Sequence, residues 1–364
     1  MGFKCGFIGL PNVGKSILFN ALTSGKAQVA NYPFTTIEPH TGVVPVPDKR
    51  LDVLSNILKP PKVVPTTLEF VDIAGLVKGA SKGEGLGNQF LSHIRNVDAL
   101  AHVVRCFKSE NVVHIHGSVN PKSDIEVVEM ELIISDLEAV EKRLRDSEKK
   151  AKTGDKKFKH GAEFYHRLRE HLAGGRPARM HPLVENEREI RCDLHLLTDK
   201  PTLYIANVDE DGLTQDNEYV RAVRQVASGE GAAVMIVDGE MEAEIADLSY
   251  EERESFLKDL GLTKSGLDMV IREGYARLDL ITFFTHNEKE LRAWTIPKGT
   301  KAPQAAGKIH SDFERGFIRA EVIRYEDLDQ LGSEHAVKEK GLLALHGHDY
   351  AVQDGDVIFF RVSV

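Results

Sequence analysis

The sequence is poor in cysteine and contains no long apolar run. The three cysteines, Cys5, Cys106 and Cys192, are far apart and show no C-x-x-C spacing, which argues against a disulfide framework and against a zinc site. No stretch of ~18 apolar residues is present, so no transmembrane helix and no membrane partner are expected. A strand is predicted directly at the N-terminus, which leaves no room for a signal peptide. These features favour a cytoplasmic, reduced protein.

Positive charge is in deficit overall but is concentrated in one segment. The chain has 47 Lys and Arg against 56 Asp and Glu, which argues against general nucleic-acid binding and predicts no DNA specificity. Between Lys142 and Arg179, however, 13 Lys and Arg stand against 5 Asp and Glu. Such a cluster is typical either of a solvated polar surface or of an arm that contacts RNA, and the sequence leaves both open.

The segment Gly9–Ser16 carries the complete pattern G-x-x-x-x-G-K-[ST]. Apolar residues 3–8 before it predict a buried strand, and residues 17–22 after it predict the first turns of a helix. A strand, a glycine turn and a helix N-terminus surround an anion with backbone N–H groups. Lys15 would reach the β- and γ-phosphates, and the Ser16 hydroxyl would bind Mg²⁺. The predicted nucleotide-binding residues here are Gly9, Asn12, Val13, Gly14, Lys15, Ser16 and Ile17.

Further apolar segments predict strands at 67–71, 99–104, 203–206 and 233–237. Helical patterns separate them, which indicates a parallel, doubly wound α/β sheet. Residues 105–200 lie between two of these strands, whereas a whole βαβ unit needs roughly 30 residues. The sequence therefore predicts a helical insert at 123–199, between the two parts of a nucleotide-binding domain, 1–122 and 200–277.

The predicted insert has the pattern of an antiparallel, coiled-coil-like helical hairpin. Ser123 and Glu126 form a capping-box pattern at its start. Apolar residues then recur at alternating spacings of 3 and 4, as in a helix seam: Met130, Ile133, Leu137, Val140 and Leu144. A second helix ending near Gly174 is indicated by Phe164, Leu168 and Leu172, and a third helix is predicted at 182–197. We interpret the basic segment as the tip of this arm, and His166, His171 and His181 as parts of the basic arm.

A change of pattern after residue 277 predicts a C-terminal domain at 278–364. Before it, Ser249 and Glu252 form a capping box that predicts a helix running toward Gly261. Within it, a short helix is predicted at 303–309 and strands at 278–285, 291–296, 319–323 and 357–362. A compact α+β domain accounts for this pattern.

A second motif, Asp72-Ile73-Ala74-Gly75, directly follows the predicted strand at 67–71. At the end of a buried strand, Asp72 can hold Mg²⁺ through a water molecule, and the Gly75 backbone can contact a γ-phosphate. The next residue is Leu76, whereas guanine-nucleotide switches usually carry a glutamine there to orient the attacking water. Turnover must therefore depend on another group or on a partner.

Residues 31–36 (Asn-Tyr-Pro-Phe-Thr-Thr) form a polar loop long enough to fold over a nucleotide. A hydroxyl from Thr35 or Thr36 would complete the magnesium shell only in the triphosphate state, which would make this loop a switch. An ordinary surface loop is the alternative.

Two histidines, His114 and His116, lie in a glycine-containing segment between a predicted strand and the insert. Histidine is suited to act as a general base near neutral pH. We favour His114, because its apolar neighbours could fold it inward. The alternative is an exposed loop histidine without a role.

A base-recognition motif is expected after the strand at 203–206, where Asn207-Val208-Asp209-Glu210 stands. A guanine-specific site has N-K-x-D, in which the Asp accepts two hydrogen bonds from the guanine edge and the Lys packs over the ring. Val208 and Glu210 replace these two residues, and the longer carboxylate does not match the guanine edge. Asn207 and Glu210 are predicted to bind a base, with ATP preferred or at least tolerated.

At these residues the chain resembles the YchF / Obg-like ATPase family of translation-factor-class P-loop NTPases, over essentially its whole length. The similarity is carried by segments 9–16, 31–39, 72–90, 95–107, 207–210 and 353–356. The resemblance implies an Obg-type nucleotide domain, a helical insert and a C-terminal TGS domain, which is a ubiquitin-like β-grasp. It also implies Mg²⁺-dependent ATP hydrolysis and association with the ribosome.

The resemblance also implies particular site residues. The family pattern places the Mg²⁺ ligands at Ser16 and Thr36, and so chooses Thr36 over Thr35. Asn12 resembles a phosphate-loop Asn that accompanies K⁺ activation in related NTPases. The chain departs from the family at Asp238-Gly239, where Ser-Ala is usual, so base contacts from that loop are not carried over.

We therefore predict a cytoplasmic, ribosome-associated ATPase that binds RNA through the helical arm and the TGS domain. Slow intrinsic turnover is expected, because no water-positioning glutamine or arginine finger is evident. The alternatives are a non-enzymatic, nucleotide-gated RNA-binding adaptor, a GTP-using switch and a small-molecule kinase. Transfer of phosphate to metabolites instead of water would indicate the kinase.

Overall fold

The computed structural model describes residues 3–24, 41–73, 86–109, 112–115, 117–152, 155–262 and 264–363. The predicted site residues Thr35, Thr36, Gly75, Leu76 and His116 lie outside these ranges. The chain divides into two units: unit 1 is Met1–Val43 with Glu69–Gly274, and unit 2 is Val44–Leu68 with Tyr275–Val364. Within the described ranges, no helix combines the length and the apolar character needed to cross a membrane.

The strands that the structure describes are β1 (Lys4–Ile8), β2 (Thr41–Pro45), β3 (Val63–Val64), β4 (Thr67–Asp72), β5 (Ala99–Arg105), β6 (Thr202–Asn207), β7 (Ala233–Val237), β8 (Leu280–His286), β9 (Leu291–Pro297), β10 (Phe317–Ile323), β11 (Ala344–His346) and β12 (Val357–Val362). The α-helices up to the end of the insert are α1 (Lys15–Ser24), α2 (Lys49–Leu58), α3 (Leu86–Arg95), α4 (Pro121–Ala151), α5 (Lys156–Ala173) and α6 (Arg188–Cys192). The later helices are α7 (Glu210–Thr214), α8 (Glu218–Glu230), α9 (Gly239–Asp247), α10 (Tyr250–Asp259), α11 (Gly266–Arg277), α12 (Ala302–Ile309), α13 (Ser311–Arg315), α14 (Tyr325–Leu331) and α15 (Glu334–Glu339).

Unit 1 is built on a sheet with the strand order β2-β4-β1-β5-β6-β7. The pairs β4–β1, β1–β5, β5–β6 and β6–β7 are parallel, so the carboxyl ends of these strands lie at one edge. Every residue of β5 and β6 is buried, as expected for central strands covered on both faces. The predicted doubly wound α/β fold is confirmed. Strand β2 was not predicted.

The insert forms the predicted antiparallel pair of helices, α4 and α5. Three of the five predicted seam residues pack in one apolar cluster with the predicted residues of α5: Ile133, Leu137, Val140, Phe164, Leu168 and Leu172. Leu144 is also buried, but Met130 is 45% exposed. Helix α4 begins earlier than predicted, since the Asn120 side chain accepts from Ser123 N and Pro121 occupies the first turn.

The predicted third helix at 182–197 is wrong. Only a single 3₁₀ turn, Glu185–Glu187, and the five-residue α6 form in this segment. The chain leaves the helix after α6, where His195 adopts a left-handed conformation with φ 48°. Beyond it, the backbone N–H groups of Leu197 and Thr198 donate to the buried Asp136 carboxylate instead of to helical carbonyls.

Unit 2 is a mixed sheet with the order β11-β10-β12-β8-β9-β3 and helix α12 packed on it. Ala302, Ala305 and Ala306 of α12 lie in one core with Phe283 and Ile296, which is the packing of a β-grasp domain. The predicted helix at 303–309 and all four predicted strands are present. Their observed ends differ from the predicted ends by at most two residues. Residues 44–68 group with this unit, because Leu51 and Leu54 of α2 join a second core with Phe284. The proposed boundaries of three domains stay a prediction.

Candidate functional site: a phosphate cradle beside a base-reading loop

The carboxyl end of β1 continues into the glycine loop, and α1 begins at Lys15. Gly9 has φ +147° and Gly14 has φ +94°, conformations that L-residues rarely adopt. A Cβ on Gly9 would lie 2.5 Å from the Val103 carbonyl oxygen, and one on Gly14 would collide with Asn207 Nδ2. Both glycines are therefore required for the loop to pass this close to β5 and β6. The loop places the N-terminus of α1 where an anion can bind backbone N–H groups.

Lys15 supplies the cation of this cradle. Its side chain is 7% exposed, and Nζ donates to the Leu10 carbonyl oxygen at 2.9 Å, across the loop. Burial lowers the pKa of Lys15, and the negative charge of Asp72 acts in the opposite direction. An ammonium group held at the inner side of a glycine loop is positioned to contact the outer phosphates of a nucleotide.

Ser16 and Asp72 lie together at the adjacent strand end. Ser16 Oγ donates to Asp72 Oδ2 at 3.2 Å, and the register pairs Phe7 of β1 with Asp72 of β4. Asp72 Oδ1 is buried and has no hydrogen-bond partner among the residues that the structure describes. A hydroxyl oxygen and an unsatisfied carboxylate oxygen are hard donors of the kind that Mg²⁺ prefers. The predicted pair therefore fits a magnesium ion.

Asn207 connects the segment 207–210, which is predicted to recognise the base, to the phosphate loop. Its Nδ2 donates to the Val13 carbonyl oxygen at 2.9 Å, and its Oδ1 accepts from Gly239 N at 3.0 Å. The side chain is 4% exposed, so both hydrogen bonds are shielded from water. Glu210 is the first residue of α7 and lines the same cavity as Asn207. Val208 is buried in an apolar cluster with Val104 and Tyr204, which differs from the ring-packing role of a lysine at this position.

At Asp238-Gly239, where the chain differs from the Ser-Ala of the family pattern, the aspartate has a structural role. Asp238 is the N-cap of α9, and its Oδ1 accepts from the backbone N–H groups of Glu240 and Met241. Burial raises the pKa of Asp238, while these hydrogen bonds act against the rise. The Asp238 carboxylate therefore caps the first turn of α9.

A cavity of about 700 Å³ joins these elements. It extends from Lys15 and Ser16 to Asn207, Glu210 and Asp238. Its volume suits a nucleotide-sized ligand, since small-molecule sites span roughly 300–1,000 Å³. Phe107, Lys108 and Phe256 also line it, and none of the three was predicted as a site residue. Phe107 ends a segment that resembles the family, whereas Lys108 and Phe256 belong to no recognised motif.

The segment after β5 is held against the phosphate loop. Arg105 is buried, and its guanidinium donates to the carbonyl oxygens of Phe107 at 3.2 Å, Ser109 at 3.4 Å and Val112 at 2.9 Å. Asn12, with φ 62°, donates from Nδ2 to the Val113 carbonyl oxygen at 3.3 Å. His114 is thus one residue away from a contact with the phosphate loop.

His114 points inward, as predicted from the sequence, but its two neighbours in the chain do not. The exposed fraction is 8% for His114, against 76% for Val113 and 43% for Ile115. His114 Nε2 lies 3.0 Å from Oδ2 of the buried Asp124 in α4. The contact with the phosphate loop is made by the carbonyl of Val113, whereas the His114 ring contacts Asp124. The role of His114 in catalysis stays a prediction.

Part of the predicted basic arm is internal. His171 and His181 are buried, with their ring centroids 5.2 Å apart, and burial lowers the pKa of both. Arg179 is paired with Glu129 and Glu230. Both histidines lie in the insert, as predicted, but its packing encloses them, so they add no charge to the surface of the basic arm. His166 does lie at the surface, 3.0 Å from Glu148.

The glycine cradle on a parallel sheet, with Ser16 against Asp72 and Asn207 against the loop, defines a nucleotide-binding P-loop protein. In agreement, the family model MMR_HSR1, described as "50S ribosome-binding GTPase", matches residues 4–151. The model YchF-GTPase_C, described as "Protein of unknown function (DUF933)", matches residues 280–363.

Relatives that match this chain over its full length identify the family. The chain is 52% identical to the ribosome-binding ATPase YchF of Bacillus subtilis over 366 residues and 53% identical to that of Escherichia coli O157:H7 over 364, with all of each chain covered. This protein belongs to the YchF family. It also matches the structure of the Schizosaccharomyces pombe YchF GTPase with a TM-score of 0.90 at 38% identity, over 99% of this chain and 98% of that one. A GTP-binding protein from Pyrococcus horikoshii OT3 shares the fold, with a TM-score of 0.61 at 18% identity over 99% of this chain and 100% of that one.

Proposed function

We propose that this protein is a Mg²⁺-dependent ATPase that prefers ATP to GTP and binds the ribosome. The bacterial relatives of full length are named ribosome-binding ATPases, which supports both the reaction and the cytoplasmic partner. The preference for ATP is inferred from the base-recognition motif at residues 207–210. In this motif Glu210 lines the cavity, where a guanine-specific site has an aspartate. The motif therefore lacks the aspartate that accepts two hydrogen bonds from the guanine edge, and selectivity for GTP over ATP is lost.

Lys15 and the backbone N–H groups of the glycine loop would bind and neutralise the phosphates. Ser16, Thr36 and Asp72 would hold Mg²⁺, Asp72 through a water molecule. When bound, the ion would offset the charge of the β- and γ-phosphate oxygens. Positioning and charge neutralisation of this kind account for most of the catalysis of phosphoryl transfer.

We further propose that His114 is the general base. Leu76 cannot orient a water molecule, and the segment that carries His114 is held next to the phosphate loop by Asn12. The oxygen of the water forms a bond to the γ-phosphorus while the bond from phosphorus to the ADP oxygen breaks. The electron pair leaves with ADP, and the proton of the water goes to the imidazole.

Single-turnover hydrolysis of ATP and GTP, with and without ribosomes, tests this proposal. We expect slow hydrolysis of ATP that ribosomes accelerate, and weaker binding of GTP. Lys15→Ala should abolish tight nucleotide binding, because the only charge in the loop is removed. His114→Ala should keep the ATP dissociation constant and lower the rate about 10²-fold or more.

Tight ATP binding without hydrolysis in any condition would instead support the nucleotide-gated adaptor. Hydrolysis that His114→Ala leaves unchanged would overturn the role of that residue alone.

A further inference from the structure

Asp124 is a buried carboxylate that contacts the proposed general base. It lies in the first turns of α4, next to the helix start that Asn120 caps, and it is 3% exposed. Its Oδ2 is 3.0 Å from His114 Nε2, and the side chains of the two residues are 4% and 5% exposed, respectively. A carboxylate that is shielded from water and bonded to an imidazole fixes the ring orientation and the tautomer.

We infer that Asp124 is a positioning residue for His114, an inference that rests on the proposed function. Since an ionised carboxylate can only accept, Nε2 carries the hydrogen and donates it to Asp124. In this tautomer Nδ1 carries no hydrogen, so the proposed proton transfer from water to the imidazole would end there. After the transfer, the carboxylate stabilises the positive imidazolium, while Nε2–H stays bonded to Oδ2.

The surroundings of the pair are consistent with this role. The charged group on β5 that acts on Asp124 is Arg105, whose three described hydrogen bonds all go to backbone carbonyls of the 107–112 segment. Burial lowers the pKa of Arg105, and Asp124 acts in the opposite direction. The thiol of Cys106 also faces Asp124, and burial raises its pKa, so it stays uncharged near neutral pH. Arg105 therefore stabilises the 107–112 segment through its hydrogen bonds, and Asp124 orients the imidazole of His114.

The position of Asp124 in α4 links the base to the insert. Helix α4 has 31 residues and is about 46 Å long. Near its start, Ile125 packs against the sheet with Val104, and farther along, Ile133 and Val140 pack against Phe164 of α5. A displacement of the arm that moves α4 would move Asp124, and with it His114.

A double-mutant cycle of Asp124→Asn with His114→Ala tests the inference. Each variant is measured for ATP affinity, single-turnover rate and thermal stability. In the wild-type background, Asp124→Asn should lower the rate about 10²-fold and change the ATP dissociation constant less than about twofold. In the His114→Ala background, it should have no further effect, because a positioning residue has no function once its partner is gone. Glu126→Gln, on the exposed side of the same helix, is the matched control and should behave as wild type.

Equal losses in both backgrounds would overturn the inference, since that result indicates a merely structural carboxylate. An unchanged rate in Asp124→Asn would overturn it as well, while leaving the proposed ATPase intact. A wild-type protein that hydrolyses no ATP would overturn the proposed function itself. Should Asp124→Asn fail to fold, Asp124→Glu replaces it, and the same pattern is expected: a slower rate in the wild-type background only.

Discussion

At the scale of single residues, the site consists of short contacts between motifs that are far apart in sequence. The phosphate loop could be predicted because its pattern is contiguous and each residue type follows from the chemistry of phosphate binding. The contact of Asn207 with Val13 and Gly239 could not, because it depends on how the ends of β1, β6 and β7 meet. Burial of His171 and His181 was missed for the same reason: a polar residue does not reveal in sequence which face of the fold it occupies.

We predict that Asn207→Ala destabilises the fold and weakens nucleotide binding. The substitution leaves the Val13 carbonyl and the Gly239 N–H buried without their partner, at a cost of about 2–3 kcal/mol in the free energy of unfolding. Urea denaturation and ATP titration of the same preparation measure the two effects. Asn56→Ala, at an exposed position of α2, is the control and should stay within about 0.5 kcal/mol of wild type. A wild-type stability for Asn207→Ala would show that the two hydrogen bonds contribute nothing.

At the scale of helices and strands, periodic segments were predicted well and their ends less well. Apolar repeats in the sequence predicted α4, α5 and the parallel strands correctly, because these elements bury one regular face. The segment at 182–197 also looks helical, yet Asp136 binds the N–H groups of Leu197 and Thr198 and thereby ends the helical path. A tertiary hydrogen bond of this kind, 61 residues apart in the chain for Asp136 and Leu197, leaves no local signal.

The junction of α9 with α11 is predicted to make stability depend on pH. Glu242 is 2% exposed and accepts from Gly266 N, and burial raises its pKa to about 7. The folded state thus favours the protonated form, so this contribution to stability is complete below about pH 4 and is lost as the pH rises through about 7. Relative to wild type, Glu242→Gln should become more stable by roughly 2–3 kcal/mol between pH 5 and pH 8.

Urea denaturation at the two pH values measures this difference. Asp247→Asn, an exposed charge change in the same helix, should show no such trend. A stability difference between Glu242→Gln and wild type that stays constant with pH would contradict the prediction.

At the scale of the whole molecule, sequence order and spatial grouping differ. Residues 44–68 belong to unit 2 although they lie between the first two motifs of the nucleotide site. Leu51 and Leu54 are ordinary helix residues in sequence, and only the core that they share with Phe284 assigns them to the C-terminal part of the chain. Family resemblance predicted the β-grasp fold of that part, but the recruitment of a distant segment was not predictable from local pattern.

We predict that binding to ribosomes weakens with salt and depends on the basic segment of the insert. Neutralisation of phosphates by Lys and Arg releases counterions, so the affinity should fall at least about tenfold between 50 and 200 mM salt. The double variant Lys149→Gln with Lys152→Gln should bind more weakly and with a smaller salt slope, as co-sedimentation with ribosomes would measure. Lys258→Gln, an exposed lysine of α10, is the control. Salt-independent binding would contradict a role for this segment.

The choice of nucleotide is the claim on which the account depends most, and one titration tests it directly. Non-hydrolysable analogues of ATP and GTP are titrated in the presence of Mg²⁺ against wild type and against Glu210→Asp. Wild type should bind the ATP analogue more tightly, and the difference should shrink or reverse in Glu210→Asp, because the shorter carboxylate restores the match to guanine. Tight binding of the GTP analogue alone by wild type, or no binding of either nucleotide, would contradict it.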